Sequence, residues 1–350
     1  MNVEKVTEFF MKIADERAGA SAVLLTYLGD KLGIWSAMAG AGPVDSAELA
    51  ARTGLAERYL REWLAGQAVA GHVTYDAATG RFELPAEHAA VLADESSLAF
   101  QGGGLEGAAA QWMAADKIAD AFRTGAGVAW HDHDPRMFSA TARFFGPLYR
   151  SSVVDQWLPA LDGVVDRLRD GAHVLDVGCG HGTSTILMAQ AFPQCQFLGV
   201  DYHEESVLAA REAAAKAGVD DRVEFVVAEA DAYPAGEWDL ICFFDALHDM
   251  GDPVGAAAGA RASLAPGGAV MLIEPFAADR LEDSIGSPVA LAYYTASTMV
   301  CVPNSLAQHG TALGAQAGPE QLTEVLKAAG FGTVRRALET EYNLVLEARA

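Results

Sequence analysis

Glycines at every second position, Gly178, Gly180 and Gly182, follow directly on the run Val174-Leu175-Asp176-Val177, and no other stretch constrains the chain as much. A short apolar run broken by one acid and closed by turn residues predicts a buried parallel strand over 174–177. Glycine has no Cβ, so three of them let the backbone turn sharply and bring its N–H groups close to a ligand. Residues 183–189 then predict a helix whose unpaired N-terminal N–H groups face the same place. Taken alone, such a turn fits a dinucleotide as well as other nucleotide-like ligands. The segments that follow have to decide.

From residue 170 onward, strand and helix patterns alternate, as in a doubly wound parallel sheet. A second strand over 196–201 ends in Asp201, about 20 residues past the glycine turn, where a carboxylate reaches ribose hydroxyls. A third, over 223–227, leads into Glu229-Ala230-Asp231-Ala232-Tyr233, where an acid can accept from an adenine amino group. A fourth, over 238–244, ends at Asp245-Ala246-Leu247-His248-Asp249. Leu264-Ala265-Pro266-Gly267-Gly268 predicts a turn before a fifth strand over 269–274.

The first third reads differently. Val6, Phe9, Phe10 and Ile13 mark one face of a first helix, and residues 22–32 predict a second, ending near Gly33. Apolar faces on terminal helices must be buried, and a partner subunit is a common answer. Asp45-Ser46 caps a helix over 47–52, a turn at 53–55 leads to a second over 56–70, and short strands over 71–75 and 81–84 flank a hairpin turn at 76–80. Helix, turn, helix and a two-stranded wing make a winged helix-turn-helix. Such a domain either binds DNA or dimerises and shapes a pocket. The formal net charge of −23 argues against nucleic acid and anionic membranes, because phosphate binding draws on Lys and Arg. Acids outnumber bases over 1–95, and Glu57 and Glu62 on the second helix suit a major groove poorly.

Residues 101–104 read as a flexible glycine break ahead of a helix over 105–123. The segment Trp130-His131-Asp132-His133-Asp134-Pro135 precedes a helix expected over 138–161. Three readings stay open for it: a metal site, a helix-capping loop, or His131 and His133 lining a substrate pocket. A metal needs further ligands than H-x-H supplies, and none is expected. Arg143 and Tyr149 on the next helix cover a substrate or pack a core. The long insert over 276–317, with Tyr293, Tyr294 and Met299, is equally a cover over an apolar pocket or core packing. Cys179, Cys195, Cys242 and Cys301 are scattered, and no run approaches the ~18 apolar residues of a membrane span, so a reducing cytoplasm is expected.

V-L-D-V-G-C-G-H-G-T, F-L-G-V-D, A-E-A-D-A, W-D-L-I with L-H-D, and L-A-P-G-G occur in one order and spacing. With them the chain resembles the class I S-adenosylmethionine-dependent methyltransferases over about half its length. With the winged helix in front, it resembles their small-molecule O-methyltransferases. The resemblance implies an α/β, Rossmann-like seven-stranded sheet of order 3-2-1-4-5-7-6, its last strand antiparallel, with strands six and seven at 333–338 and 342–347. It implies a dimerisation domain over 1–98, a helical connector over 99–165 and a cofactor-binding domain over 166–350. It implies S-adenosylmethionine as cofactor, with S-adenosylhomocysteine as product, held by Asp176, Gly178, Gly180, Gly182, Asp201, Tyr202, Ala230, Asp231, Ala232, Phe244 and Asp245. His248 inherits the role of general base, with Asp249 or Glu274 orienting it. Two family positions differ: Gln316 stands where a second flanking Glu is usual, and Phe244 where a lysine is. A homodimer acting on a small, largely apolar metabolite follows. Methyl transfer to carbon or nitrogen, a DNA-binding regulator, and a fold keeping the cofactor as a structural element are the alternatives. No N-P-P-Y follows the fourth strand, which disfavours nucleobase-amino and Gln-amide acceptors.

Overall fold

A computed structural model of the chain describes residues 1–230, 232–234 and 236–350, so Asp231 lies outside the described residues. The chain divides into two compact units, Met1–Ala110 with Ser139–Pro147, and Gln111–Phe138 with Leu148–Ala350. The segment 99–165, expected as a connector, therefore contributes to both.

In the first unit one helix, Val3–Lys31, takes the place of the two expected over 1–32. Gly19 is surrounded by open space, and a lone helical glycine costs only about 1 kcal/mol, too little to end a helix. The last turns of this helix are packed: the indole N–H groups of Trp63 and Trp35 donate to the Leu25 and Thr26 carbonyls at 2.8 and 2.9 Å. A Cβ on Gly29 would lie 2.5 Å from Trp35 Nε1, so only glycine lets those rings approach. Ile34, Trp35, Met38, Leu49, Leu60 and Leu64 complete the core.

The winged helix forms as expected. Asp45 accepts from the Ala47 and Glu48 N–H groups, and Glu48 closes a capping box at the start of the Ser46–Thr53 helix. Gly54, in the left-handed region, ends it, and the Glu57–Val69 helix follows. Strands β1 (Thr74–Asp76) and β2 (Arg81–Glu83) pair antiparallel, with Tyr75 opposite Phe82. On the second helix Arg58 pairs with Glu62 and Arg61 with Glu57, so its bases are engaged by its own acids. The glycine break expected at 101–104 is instead the first turn of the Gly102–Thr124 helix. A Cβ on Gly103 would lie 2.3 Å from the Phe144 backbone nitrogen, so the glycines serve close packing rather than flexibility.

The second unit holds a seven-stranded sheet of order β5-β4-β3-β6-β7-β9-β8. Its strands are β3 (His173–Val177), β4 (Gln196–Asp201), β5 (Val223–Val227), β6 (Trp238–Phe244), β7 (Leu264–Pro275), β8 (Thr333–Glu339) and β9 (Asn343–Arg349). The expected order holds: β3 to β7 run parallel, and β9 lies antiparallel between β7 and β8. β7 starts earlier than expected, because Leu264 already pairs with Trp238 and a register shift absorbs the Pro-Gly-Gly turn. Leu175, Val177, Ile241, Phe243, Val270 and Leu272 are buried at the centre, which explains their continuous apolar runs. The chain crosses from β3 to β4 on one side and reaches β6 on the other, so the carboxyl end of β3 is the switch point where such sheets bind ligands.

The helix expected over 138–161 is Arg136–Ser152, followed by a π turn at Val153–Trp157 and a 3-10 turn at Leu158–Ala160. Pro159 in that last turn cannot continue a helix ladder. No helix among the described residues is long and apolar enough to cross a membrane.

Candidate active site

The glycine turn is held by the end of β4. Gly178 and Cys179 donate their backbone N–H groups to the Val200 carbonyl at 2.8 and 3.0 Å. Asp201, at the end of β4, accepts from the Gly180 N–H and the His203 N–H, each at 2.9 Å. Burial raises the Asp201 carboxyl above its usual range, with these two donors working against it. Gly178, Gly180 and Gly182 all have positive φ, which a side chain would resist. Their surroundings differ. A Cβ on Gly178 would meet Ala246 at 2.7 Å and one on Gly182 would meet Phe225 at 2.5 Å, whereas one on Gly180 would meet nothing within 4 Å. Gly178 and Gly182 thus seat the turn, and Gly180 leaves an open side.

Asp176, within β3, is fully buried. Its Oδ2 accepts from the Ser184 and Thr185 hydroxyls at 2.7 and 2.6 Å, drawing the N-terminus of the Thr183–Ala191 helix over the strand end. Its Oδ1 has no protein partner, and burial pushes the carboxyl up to about 6. After β5 the chain is tied back to the end of β4 by the Ala228 N–H to the Asp201 carbonyl, and a local turn follows in which the Ala232 N–H bonds the Glu229 carbonyl around Ala230.

The end of β6 carries the second cluster. Phe244 packs against Tyr149 and Trp157, with ring centroids 5.4 and 6.3 Å away. Asp245 has φ 50°, a left-handed conformation that is costly outside glycine. Its carboxylate accepts from the Tyr149 hydroxyl at 2.7 Å and from Asn343 Nδ2 at 2.8 Å, which hold that conformation. Burial, and then the nearby Glu274, push Asp245 up to about 7. His248 is only 4% exposed, on the turn Leu247–Asp249. Its Nδ1 bonds Glu274 Oε2, and its backbone N–H donates to Glu274 Oε1 at 3.3 Å. Burial alone lowers the imidazole, but Glu274 and then Cys301 outweigh it and hold the ring well above its ordinary value. The carboxylate bonded to the ring is therefore Glu274; Asp249 lies on the same turn, pushed up to about 7 by burial.

The expected substrate residues separate. His131 is exposed while His133 is 5% exposed, so the H-x-H pair does not converge on one point. Neither ring nitrogen of His133 has a partner, and burial lowers its pKa, which leaves a neutral imidazole with one donor and one acceptor. Among the described residues no group of three His, Cys, Asp or Glu sits together as a metal site. Arg143 belongs to the first unit, where Asp30, Glu95 and Glu106 surround its guanidinium. Met299 packs against Ile118 and Val128, and Tyr294 is exposed. Trp157, Cys301 and Asn343 were not singled out for the site from the sequence, and Asn304 only as part of the insert; the residues they meet here, Phe244, His248, Asp245 and Tyr202, are distant along the chain, so no local signal marked them.

Comparison with known proteins identifies the two domains and the fold. A family described as a methyltransferase domain matches residues 168–330, and an Rv2258c-like winged HTH domain matches residues 20–94. The 27-O-demethylrifamycin SV methyltransferase of Amycolatopsis mediterranei (strain S699) is 38% identical over 107 residues, which are 30% of this chain and 39% of that protein. The chain thus spans well under half the length of that relative. The structure of the mitomycin 7-O-methyltransferase MmcR superposes with TM-score 0.74 at 19% identity, covering 100% of both chains. Human N-acetylserotonin methyltransferase, in complex with S-adenosylmethionine, superposes with TM-score 0.71 at 20% identity over 97% of each chain. Residues 168–330 thus form a methyltransferase domain that follows a winged HTH domain at 20–94, in the fold of small-molecule O-methyltransferases.

Proposed function

We propose that the chain transfers the methyl group of S-adenosylmethionine to a hydroxyl oxygen of a small, largely apolar metabolite, with His248 as general base. The observation that carries this reading is the buried His248–Glu274 pair at the carboxyl end of β6, on the turn whose Ala246 packs against Gly178. The residues present suit the cofactor. Asp176 Oδ1 is a buried acceptor without a protein partner, and the backbone above Gly180 is open. Asp201 keeps lone pairs beyond its two backbone donors for ribose hydroxyls.

When bound, the sulfonium supplies an electrophilic methyl group for in-line displacement. The chain's own groups supply position and a proton acceptor. Glu274 on Nδ1 fixes the tautomer and leaves Nε2 to take the acceptor's hydroxyl proton. A hydroxyl gains from losing that proton as the new C–O bond forms, whereas a carboxylate acceptor needs no base. The buried pair therefore favours hydroxyl acceptors over acids, and over carbon or nitrogen acceptors that need no such base.

The raised pKa of His248 has a definite sign. In the free enzyme the ring holds its proton past the ordinary histidine range, so the neutral, proton-accepting form grows as pH rises. kcat/KM should rise with pH through an ionisation above ~6.5. Glu274→Gln removes the charge that holds the proton, and should move that limb to lower pH while lowering the plateau. A limb that stays in place in Glu274→Gln would sink the pairing of base and carboxylate.

We also propose that the chain works as a homodimer through its first helix. Phe9 and Phe10 are 63% and 68% exposed on the Val3–Lys31 helix, with Val6 and Ile13 exposed beside them. Water-facing apolar surface of this extent costs about 25 cal/mol per Å² relative to burial, and a second copy offers the same surface in return. Replacing both Phe9 and Phe10 by Glu should give a folded monomer by light scattering, because the packed end of the helix begins only near Leu25. A dimer persisting in that double variant would refute the interface.

A further inference from the structure

One buried amide in the insert joins the two ends of the proposed reaction. Asn304, on the Val302–Ala307 helix, is 3% exposed. Its Oδ1 accepts from the Trp130 backbone N–H at 3.0 Å and from the Tyr202 hydroxyl at 3.2 Å. Its Nδ2 donates to the Asp249 carbonyl at 3.1 Å. The amide orientation follows from these partners: reversed, its NH2 would face the Trp130 N–H and its oxygen would face a carbonyl. The partners lie 174, 102 and 55 residues away along the chain.

Each partner adjoins a residue of the site. Tyr202 follows Asp201, the ribose carboxylate of the reading above. Asp249 follows His248, the base. Trp130 opens the turn that carries His131 and the unpartnered His133. The helix bearing Asn304 and the chain after it are clasped to the base turn: Ser305 Oγ on the helix donates to the Met250 carbonyl at 2.8 Å, and the Gly314 N–H beyond it donates to the His248 carbonyl at 2.9 Å. On its other side the Val128 N–H donates to the Pro303 carbonyl at 2.9 Å. A Cβ on Gly127 would lie 1.9 Å from the Ala307 nitrogen, so the backbones there are in direct contact. Asn304 sits where the insert, the end of β4 and the base turn meet.

We propose that Asn304 is a positioning residue that couples cofactor binding at Asp201 and Tyr202 to the placement of His248 and the insert. This rests on the methyltransferase reading. A cofactor held by Asp201 restrains the adjacent Tyr202, and the Tyr202 hydroxyl is one of two donors on the Asn304 oxygen. The same planar amide holds the Asp249 carbonyl with its other end. A planar group bonded at both ends transmits a displacement that separate waters would absorb. Order at the cofactor site thereby becomes order at the base and over the acceptor.

The test is hydrogen–deuterium exchange of the full chain with and without S-adenosylhomocysteine, beside calorimetric titration of the same ligand. In the native chain the ligand should slow exchange at 178–182 and 201–203, and also at 247–251 and 302–308, by about fivefold or more. In Asn304→Leu, the ligand should still bind and protect 178–182, while protection at 247–251 and 302–308 is lost. Tyr202→Phe removes one hydroxyl and leaves the amide's other bonds, so it tests the coupling even if the leucine variant fails to fold. It should lower protection at 247–251 without loosening that segment in the free chain. A purely structural role would instead loosen the free chain and leave the ligand-induced difference intact, and that result overturns the proposal. Binding without any protection at 247–251 in the native chain also overturns it, leaving the cofactor reading in place. Failure of the ligand to bind the native chain removes both.

Discussion

His248→Ala should cut methyl transfer to a hydroxyl acceptor by about 10²–10⁴-fold, with affinity for S-adenosylhomocysteine retained. The size of the effect follows from general-base catalysis. The acceptor must lose a proton as its oxygen attacks, and His248 is the histidine held on a buried carboxylate at the end of β6. Retained affinity is expected because Asp176, Gly180 and Asp201, the groups proposed to hold the cofactor, take their own partners from β4 and the Thr183–Ala191 helix rather than from His248. Mass spectrometry of a panel of phenols and hydroxylated metabolites, scored for methylated product and released S-adenosylhomocysteine, reads the rate. Full activity on a hydroxyl acceptor in His248→Ala would reject His248 as the base. A native chain that binds the cofactor but methylates nothing would favour a structural role for it.

The second large effect falls on Asp201. Its replacement by Ala should weaken S-adenosylhomocysteine binding by about 10–100-fold in calorimetry, the worth of charged hydrogen bonds to two ribose hydroxyls. Because Asp201 also accepts from the Gly180 and His203 N–H groups, the Ala variant loosens the glycine turn as well. Asp201→Asn separates the two contributions. It keeps one oxygen for a backbone donor but loses the charge, so a smaller loss than in Asp201→Ala isolates the part owed to the turn. Unchanged affinity in both variants would remove Asp201 from the ribose site.

Much of this was legible in the sequence because it is local. The run 174–177, the glycines after it, and the acid at Asp201 are read from neighbours a few residues apart, and the structure places them as a strand, a turn and a strand end. The winged helix was equally legible, since Asp45, Glu48 and Gly54 cap and stop a helix by contacts within one or two turns. Local patterns misled where tertiary packing overrode them. The glycines at 102–104 promised a flexible break, but Phe144, some forty residues on, packs so tightly on Gly103 that only glycine fits, and the chain there is helical. For Arg143 the local sequence left substrate cover and core packing both open; its partner Asp30 lies 113 residues earlier, and an ion-pair partner leaves no mark on local sequence.

The sequence by itself determined the strands of the parallel sheet and the residues at their ends, because periodicity, glycine placement and acid spacing are short-range properties. The strand order followed from the resemblance those motifs carry, not from periodicity or spacing. Only the tertiary structure decided which carboxylate meets the His248 ring. Asp249 is next to His248 in sequence, but a neighbour on a tight turn points elsewhere, whereas Glu274 reaches the ring from the adjacent strand. It also decided the roles of Asn304 and Asn343, each of which bonds groups brought together by folding rather than by sequence. Hydrogen bonds across a folded site depend on three-dimensional proximity, and that exists only after the long-range contacts have formed.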